Sequence, residues 1–363
     1  MRASMGPLDV WLALSYRAVR QMFADPRFSR EAASRPGGPV TTPVAANPVL
    51  ISSLEGPRHA RIRKLMGQAF TPAIVERLEL RVQAIVDSLL DGLSGPVDLV
   101  EALCSPLPTM VICELLGAPY EDSPDIRRMS KRLFRNTITP ADLAAAEQEM
   151  QDYLASLVRQ KRADPDDALI SAMVAATDEG DHLTEAELLA NLQGLLVAGH
   201  DTSVNQLGNF FVTLFRHPGQ LQLLRDDPSL AGRAVDELMR YVKLVTSAQP
   251  RVTTEPVELA GVALPRDAPV VPVLNAANRD PSVYPEPDRL DLTRDAPPHV
   301  GFGHGPHFCL GAQLARLELR VALATTIKRF PGLRLAVDPD ELTYDTGSVL
   351  RSLIALPVEL SGS

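Results

Sequence analysis

The chain is short of cysteine, of long apolar runs and of positive charge, and each shortage removes a class of protein. Cys104, Cys113 and Cys309 are three thiols in 363 residues. They make no disulfide framework, and an odd number fits a reducing compartment. No apolar run approaches the ~18–20 residues that a membrane helix needs. The start, Met1-Arg-Ala-Ser-Met-Gly-Pro, does not read as a signal peptide. Lys and Arg number 36 against 45 Asp and Glu, a net charge of −9, which disfavours general nucleic-acid binding. No Gly-x-Gly-x-x-Gly follows a strand, so neither a flavin nor an NAD site is read. There is no internal repeat and no low-complexity tract. What these absences leave is a soluble cytoplasmic protein, 45% apolar and 22% charged, with length enough for one large domain or two ordinary ones.

What is present is concentrated near the C-terminal end, in Phe302-Gly-His-Gly-Pro-His-Phe-Cys309-Leu-Gly311. A cysteine closes a glycine-rich loop, and an amphipathic run, Ala312 to Phe330, follows it at once and reads as a helix. A thiolate at a helix start is stabilised by the dipole and by backbone N–H groups. Glycines and a proline let the backbone fold closely around a bulky, flat partner. One cysteine cannot hold a tetrahedral zinc or an iron–sulfur cluster by itself, but it can hold a haem iron. Cys104 and Cys113, in an apolar helical stretch, read as core residues.

Phe302-x-x-Gly305-x-His307-x-Cys309-x-Gly311 resembles the haem-thiolate signature of the cytochromes P-450. The resemblance implies a mainly α fold with a small β-rich lobe, one cooperative domain over residues 1–363 around a buried haem b. The lobe is expected at about 1–30, 249–275 and 333–360. Cys309 would be the axial ligand, with Phe302, Gly303 and Gly311 of the same loop also binding the haem. Members usually carry a longer start, with a first helix and a first strand before Val10, so the N-terminal part reads as shortened.

Three further stretches fall in the family's order. Glu55-Gly-Pro-Arg-His59-Ala-Arg-Ile-Arg63 opens a basic helix with His59 and Arg63 on one face. Taken alone it is a solvated face. By the resemblance, the pair holds a haem propionate, joined by Arg251 and His307. The longest helix candidate starts at Thr184-Glu-Ala-Glu187, a capping box, and runs to Arg216. Its middle, Ala198-Gly199-His200-Asp201-Thr202-Ser203, is poor helix sequence. It is similar to the family's acid–alcohol pair. Thr202 would then bond the bound oxygen, Asp201 would relay protons, Gly199 would open a bulge, and His200 has no assigned role. Glu237-Leu-Met-Arg240 has the family's Glu-x-x-Arg spacing, and Arg289 fits the third place of that structural triad.

The remaining helical pattern, with Ile74, Leu78, Val82, Ile85 and Leu89 in register, breaks at Gly95-Pro96, Gly117-Ala-Pro119 and Thr139-Pro140. Residues 30–50 read as a loop, and in the family layout 127–139 form part of a lid. Strands are expected at Val10-Trp-Leu-Ala-Leu, over 249–272 with a break at Ala260-Gly261, and over 333–360. Substrate-pocket positions implied by the resemblance are Val197, Ala198, Val245, Thr246 and Val349, for a mostly hydrophobic small molecule. Electrons are expected from a ferredoxin and its reductase docking on a monomer, with Lys64, Arg316 and Arg320 read either as basic contacts or as a solvated face. The implied reaction is O2-dependent hydroxylation or epoxidation in secondary metabolism. Oxidative coupling, peroxide-driven oxidation and a non-catalytic haem sensor or carrier are the alternatives.

Overall fold

The computed structural model describes residues 1–5, 8–40, 47–133, 135, 138–178 and 183–360. Parts of the expected loop (41–46) and lid (134, 136 and 137) lie outside the described residues. The chain divides into two compact units, Met1–Leu65 with Val245–Arg289 and Asp295–Ala312, and Met66–Leu244 with Leu290–Arg294 and Gln313–Ser363.

The first unit is built on a five-stranded sheet. Strands β1 (Arg2–Met5) and β2 (Leu8–Ala13) pair antiparallel, and helix α1 (Tyr16–Ala24) and strand β3 (Phe28–Ser29) follow. A strand therefore does precede Val10. Ser15 caps α1, its side chain accepting from the Ala18 N–H. Ser29 caps α2 (Arg30–Ala33) in the same way, so the expected loop opens as a helical turn. The basic stretch forms α3 (Gly56–Gly67). Strands β5 (Arg251–Thr253) and β8 (Pro269–Pro272) complete the sheet in the order β1-β2-β8-β5-β3, with β2 and β8 parallel at Trp11↔Val270. Between them, β6 (Val257–Leu259) and β7 (Val262–Leu264) make a hairpin that turns at Ala260 and Gly261. Both turn residues have positive φ, 49° and 82°, as the tight two-residue connection requires. Short helix α12 (Leu274–Ala277) packs against α1. Val19, Met22, Phe28, Val270 and Tyr284 fill the core at full burial.

The second unit is helical. It contains α4 (Pro72–Leu90), strand β4 (Gly95–Asp98), a π-helical turn Val100–Cys104, α5 (Pro106–Leu116), α6 (Ser123–Leu133), α7 (Pro140–Ala163) and α8 (Leu169–Asp178). The long α9 (Glu185–Phe215), then α10 (Pro218–Asp226), α11 (Ala231–Tyr241) and α13 (Ala312–Arg329) follow. The breaks are physical. Gly117 ends α5 at φ 74° in the left-handed region. Thr139 caps α7 ahead of Pro140. The Thr184–Glu187 capping box starts α9 with both reciprocal bonds, at 3.2 and 3.0 Å. α9 packs against α5, α6 and α7 and is the spine of the unit.

The expected lobe is only partly one body. Its first two segments share the sheet of the first unit. Segment 333–360 falls instead in the helical unit, with β9 (Arg334–Leu335), the pair β10 (Tyr344–Asp345) and β11 (Ser352–Leu353), and β12 (Pro357–Leu360). β12 pairs β4 at Val358↔Val97 and β9 at Val358↔Leu335. Gly95-Pro96, read as a break, is the start of that ladder.

Candidate active site

In the first unit, Cys309 ends a loop whose backbone is held tightly. Its N–H donates to the Phe302 carbonyl at 2.9 Å, and the Val300 N–H donates to Asn278 Oδ1 at 2.8 Å. Gly303 and Gly305 both have φ 74°, and a Cβ on Gly305 would meet the Phe23 carbonyl oxygen at 2.6 Å. The ring of Phe302 packs edge-on against Phe308 at 6.4 Å between centroids. Gly311 lies in the turn before α13. Cys309 is exposed, as a thiol that is to bind something must be, whereas Cys104 and Cys113 are buried. Burial pushes the Cys113 thiol up to about 12 and Cys104 higher still, so both stay protonated and inert.

Beside this loop the same unit gathers basic side chains. His59 and Arg251 are buried, 5% and 4% exposed, and the rings of His59 and His307 lie 4.4 Å apart. Arg30, which no sequence motif marks, joins them at 3% exposure; its guanidinium donates to the Ser52 and Pro250 carbonyls. Burial and then Arg251 and other neighbouring cations push His307 down to about 3. Burial and then the charge of Arg251 bring Arg30 down to about 10, and burial does the same to Arg251. The carboxylate acting on these groups is Glu55, which accepts from Ser29 Oγ and from the Arg30 N–H, each at 2.6 Å. Arg63 reaches the Phe308 carbonyl at 2.7 Å, which puts its charge next to Cys309. That contact with the cysteine loop is one the propionate reading of Arg63 did not contain.

Two buried polar atoms in this group have no hydrogen-bond partner, His59 Nε2 and Arg251 Nε. An orphaned buried donor costs about 1–3 kcal/mol, and native interiors keep few of them. A bound anion reaching both atoms removes that cost. A flat macrocycle with carboxylate arms fits these residues.

In the second unit α9 carries the acid and the alcohol. It is α-helical through 198–203, and the bulge expected at Gly199 is not formed. Gly199 serves close packing instead, since a Cβ there would touch Ile112 Cδ1 of α5 at 3.0 Å. Polar side chains survive in mid-helix because they bond carbonyls one turn back. Thr202 Oγ1 donates to the Ala198 carbonyl at 2.8 Å, and Asn205 and Asn209 do likewise to Asp201 and Asn205 at 2.7 Å. Asp201 accepts from Ser130 Oγ of α6, and burial raises its pKa. Ala198 and Thr202, one turn apart, share the open face of α9, whereas Val197 is buried at 6% exposure. Val349 is half-buried in this unit; Val245 and exposed Thr246 belong to the first.

The triad differs from the expectation at one member. Arg240 Nε bonds Glu237 Oε2 at 2.7 Å with both side chains buried, and the second arginine on Glu237 is Arg294, at 3.1 Å. Arg289 pairs with Glu286, and its side chain is 58% exposed. The spacing misled because two arginines lie five residues apart on one loop. Of the expected docking cations, Arg316 is paired with Asp236 and Arg320 with Glu79. A cleft of about 410 Å³ lined by Tyr16, Arg17, Arg20, Gln21 and His304 instead presents cations beside the cysteine loop. The sequence reading also missed Ser130, a polar residue on the apolar face of α6, and Glu318, an acid between Leu317 and Leu319 on α13. Those interruptions of an apolar stripe were the available signal.

Among the described residues no helix is long and apolar enough to cross a membrane. The cytochrome P-450 family profile matches residues 128–228 and 225–352. The chain is 45% identical to vitamin D(3) 25-hydroxylase of Pseudonocardia autotrophica, over 97% of this chain and 88% of that one. It is 43% identical to nocardicin C N-oxygenase of Nocardia uniformis subsp. tsuyamanensis, over 96% and 89%. A solved cytochrome P-450 with biaryl coupling reactivity superposes with a TM-score of 0.92 at 36% identity, covering 98% and 91%. With the fold, the cysteine loop and full-length relatives in agreement, the chain belongs to the cytochrome P-450 family and is a monooxygenase whose haem is carried on a cysteine thiolate.

Proposed function

We propose that this enzyme hydroxylates a mostly hydrophobic small molecule of secondary metabolism, using O2 and two electrons from a ferredoxin, with haem b held on Cys309. The observation that carries the reading is the cationic cradle beside Cys309, in which His59 Nε2 and Arg251 Nε are buried without partners. When bound, the haem supplies the iron at which O2 is reduced, and thiolate ligation favours cleavage of the O–O bond. The rest falls to the chain's own groups. Arg63, adjacent to Cys309, favours the thiolate over the thiol. His59, His307 and Arg251 bind the carboxylate arms, with Arg30 adding charge from behind. Glu237, Arg240 and Arg294 brace the segment 290–294.

On α9, the Thr202 hydroxyl gives its hydrogen to Ala198, so its lone pairs accept from whatever lies on the open face. Burial raises the pKa of Asp201, which suits the neighbouring acid to proton delivery. Ala198 and Val349 are the substrate-contact positions kept in the helical unit, and Val245 and Thr246 those kept in the first unit. The named activities of the relatives, a hydroxylation and an N-oxygenation, support oxygen insertion. The biaryl-coupling neighbour supports oxidative coupling as the second reading. Arg17, Arg20 and His304 beside the cysteine loop support an acidic ferredoxin, itself reduced by a reductase, docking there on a monomeric cytoplasmic enzyme.

The test is the spectrum of the dithionite-reduced protein under carbon monoxide. A strongly red-shifted Soret band that Cys309→Ser abolishes is expected. A band at the wavelength of a neutral ligand, or no haem band after reconstitution, overturns the assignment. Product mass with a candidate substrate and labelled O2 then separates insertion from coupling.

A further inference from the structure

His200 occupies the position of the acid–alcohol stretch that carries no expected role, yet it is 1% exposed and its two ring nitrogens both have polar neighbours. Nδ1 lies 3.3 Å from the Leu196 carbonyl oxygen, one turn back. A carbonyl only accepts, so the hydrogen of that contact sits on Nδ1. Nε2 lies 3.4 Å from Asp201 Oδ1. In a neutral ring with hydrogen on Nδ1, Nε2 presents a bare lone pair. An ionised Asp201 would then set a second lone pair against it in a buried place, the arrangement that costs most. A proton on either atom turns repulsion into attraction across the 3.4 Å, and the pair is then neutral overall whichever atom holds it. The other carboxyl oxygen, Oδ2, accepts from Ser130 Oγ, which is fully buried on α6, so the carboxyl cannot turn away.

We infer that His200 and Asp201 hold one proton in common, with Ser130 fixing the carboxyl, so that His200 is the positioning residue that sets when Asp201 can release a proton. The inference rests on the reading of Asp201 as the proton-delivering acid and adds a residue to it. The charges acting on the carboxyl are His200 from its own helix and Lys131 from α6. α5 meets this stretch with apolar Ile112 against Gly199. Glu318 of α13 reaches the helix at Ser203, and burial raises its pKa well above the ordinary carboxylate range. Adjacent helix residues ordinarily diverge, so the His200–Asp201 contact is a product of folding and not of the motif.

The experiment uses the ferrous carbon-monoxide holoenzyme, which is diamagnetic, with 15N-labelled histidine. The His200 signals are those lost in His200→Gln. A shared proton gives Nε2 a shift between the bare and protonated extremes, and Asp201→Asn moves it to the bare extreme. The C–O stretching frequency supplies a second readout. A pH-dependent step is expected in the parent enzyme, displaced by about one pH unit or more in His200→Gln and absent in Asp201→Asn. An Nε2 shift identical in the parent and Asp201→Asn, or a step unmoved in His200→Gln, overturns the inference. A carbon-monoxide band without the red shift would instead sink the haem-thiolate reading and leave the nitrogen result standing, since that is read on the chain's own atoms.

Discussion

Glu318 is buried with Oε2 lacking a partner, and burial raises its pKa well above the ordinary 4.5. The folded protein therefore keeps a proton that the unfolded chain gives up as pH passes about 4.5. Stability linked to this group is complete below that pH and falls as pH rises toward the folded value, by at most about 1.4 kcal/mol per unit. Glu318→Gln keeps an acceptor for Ser203 and removes the titration. Its melting temperature is expected to match the parent near pH 4.5 and to exceed it by a growing margin up to pH 8, by calorimetry at fixed ionic strength. A constant difference across that range would mean that Glu318 titrates normally. The same residue shows what sequence could not disclose. Cys309, His59 and Asp201 stand in motifs whose spacing carries meaning, whereas Glu318 and Arg30 earn their roles only from what folds over them.

At the scale of elements, α9 and α11 make the contrast sharper. The capping box and the end at Arg216 were legible because local chemistry decides helix ends. The close packing of Gly199 was not, because it is made against Ile112 of another helix. The triad was legible by spacing within α11 and illegible across the loop, since nothing local distinguishes Arg289 from Arg294. The structure separates the two energetically. Arg294 is 10% exposed on a Glu237 that is 3% exposed, while the Arg289–Glu286 pair is 58% and 69% exposed. Removing one partner of a buried pair costs about 3 kcal/mol or more; an exposed pair is worth at most about 1. Arg294→Ala is therefore expected to lower the urea midpoint of the apoprotein markedly, and Arg289→Ala to leave it nearly unchanged. The reverse order would restore Arg289 to the triad.

For the whole molecule, composition and charge answered the questions they could. The α-rich character and the strand positions were legible from periodicity; the assignment of 333–360 to the helical unit was not, because β12 finds its partner β4 some 260 residues away. Charge shows the same division between total and placement. The chain carries −9 overall, yet the first unit buries Arg30, Arg251 and His59 around partnerless His59 Nε2 and Arg251 Nε. A net-acidic protein that keeps buried cations and orphaned nitrogens together is organised to take up an anion. If the haem carboxylates are that anion, neutralising them should weaken binding far more than their size implies. Each charge-assisted bond is worth about 1.5–3 kcal/mol, so losing two costs about 3 kcal/mol or more, roughly a hundredfold in affinity. Apoprotein reconstituted with the dimethyl ester of haem is expected to lose it to excess apomyoglobin at least that much more readily than apoprotein holding the free acid. Equal transfer would mean that the cations of the first unit serve some other partner.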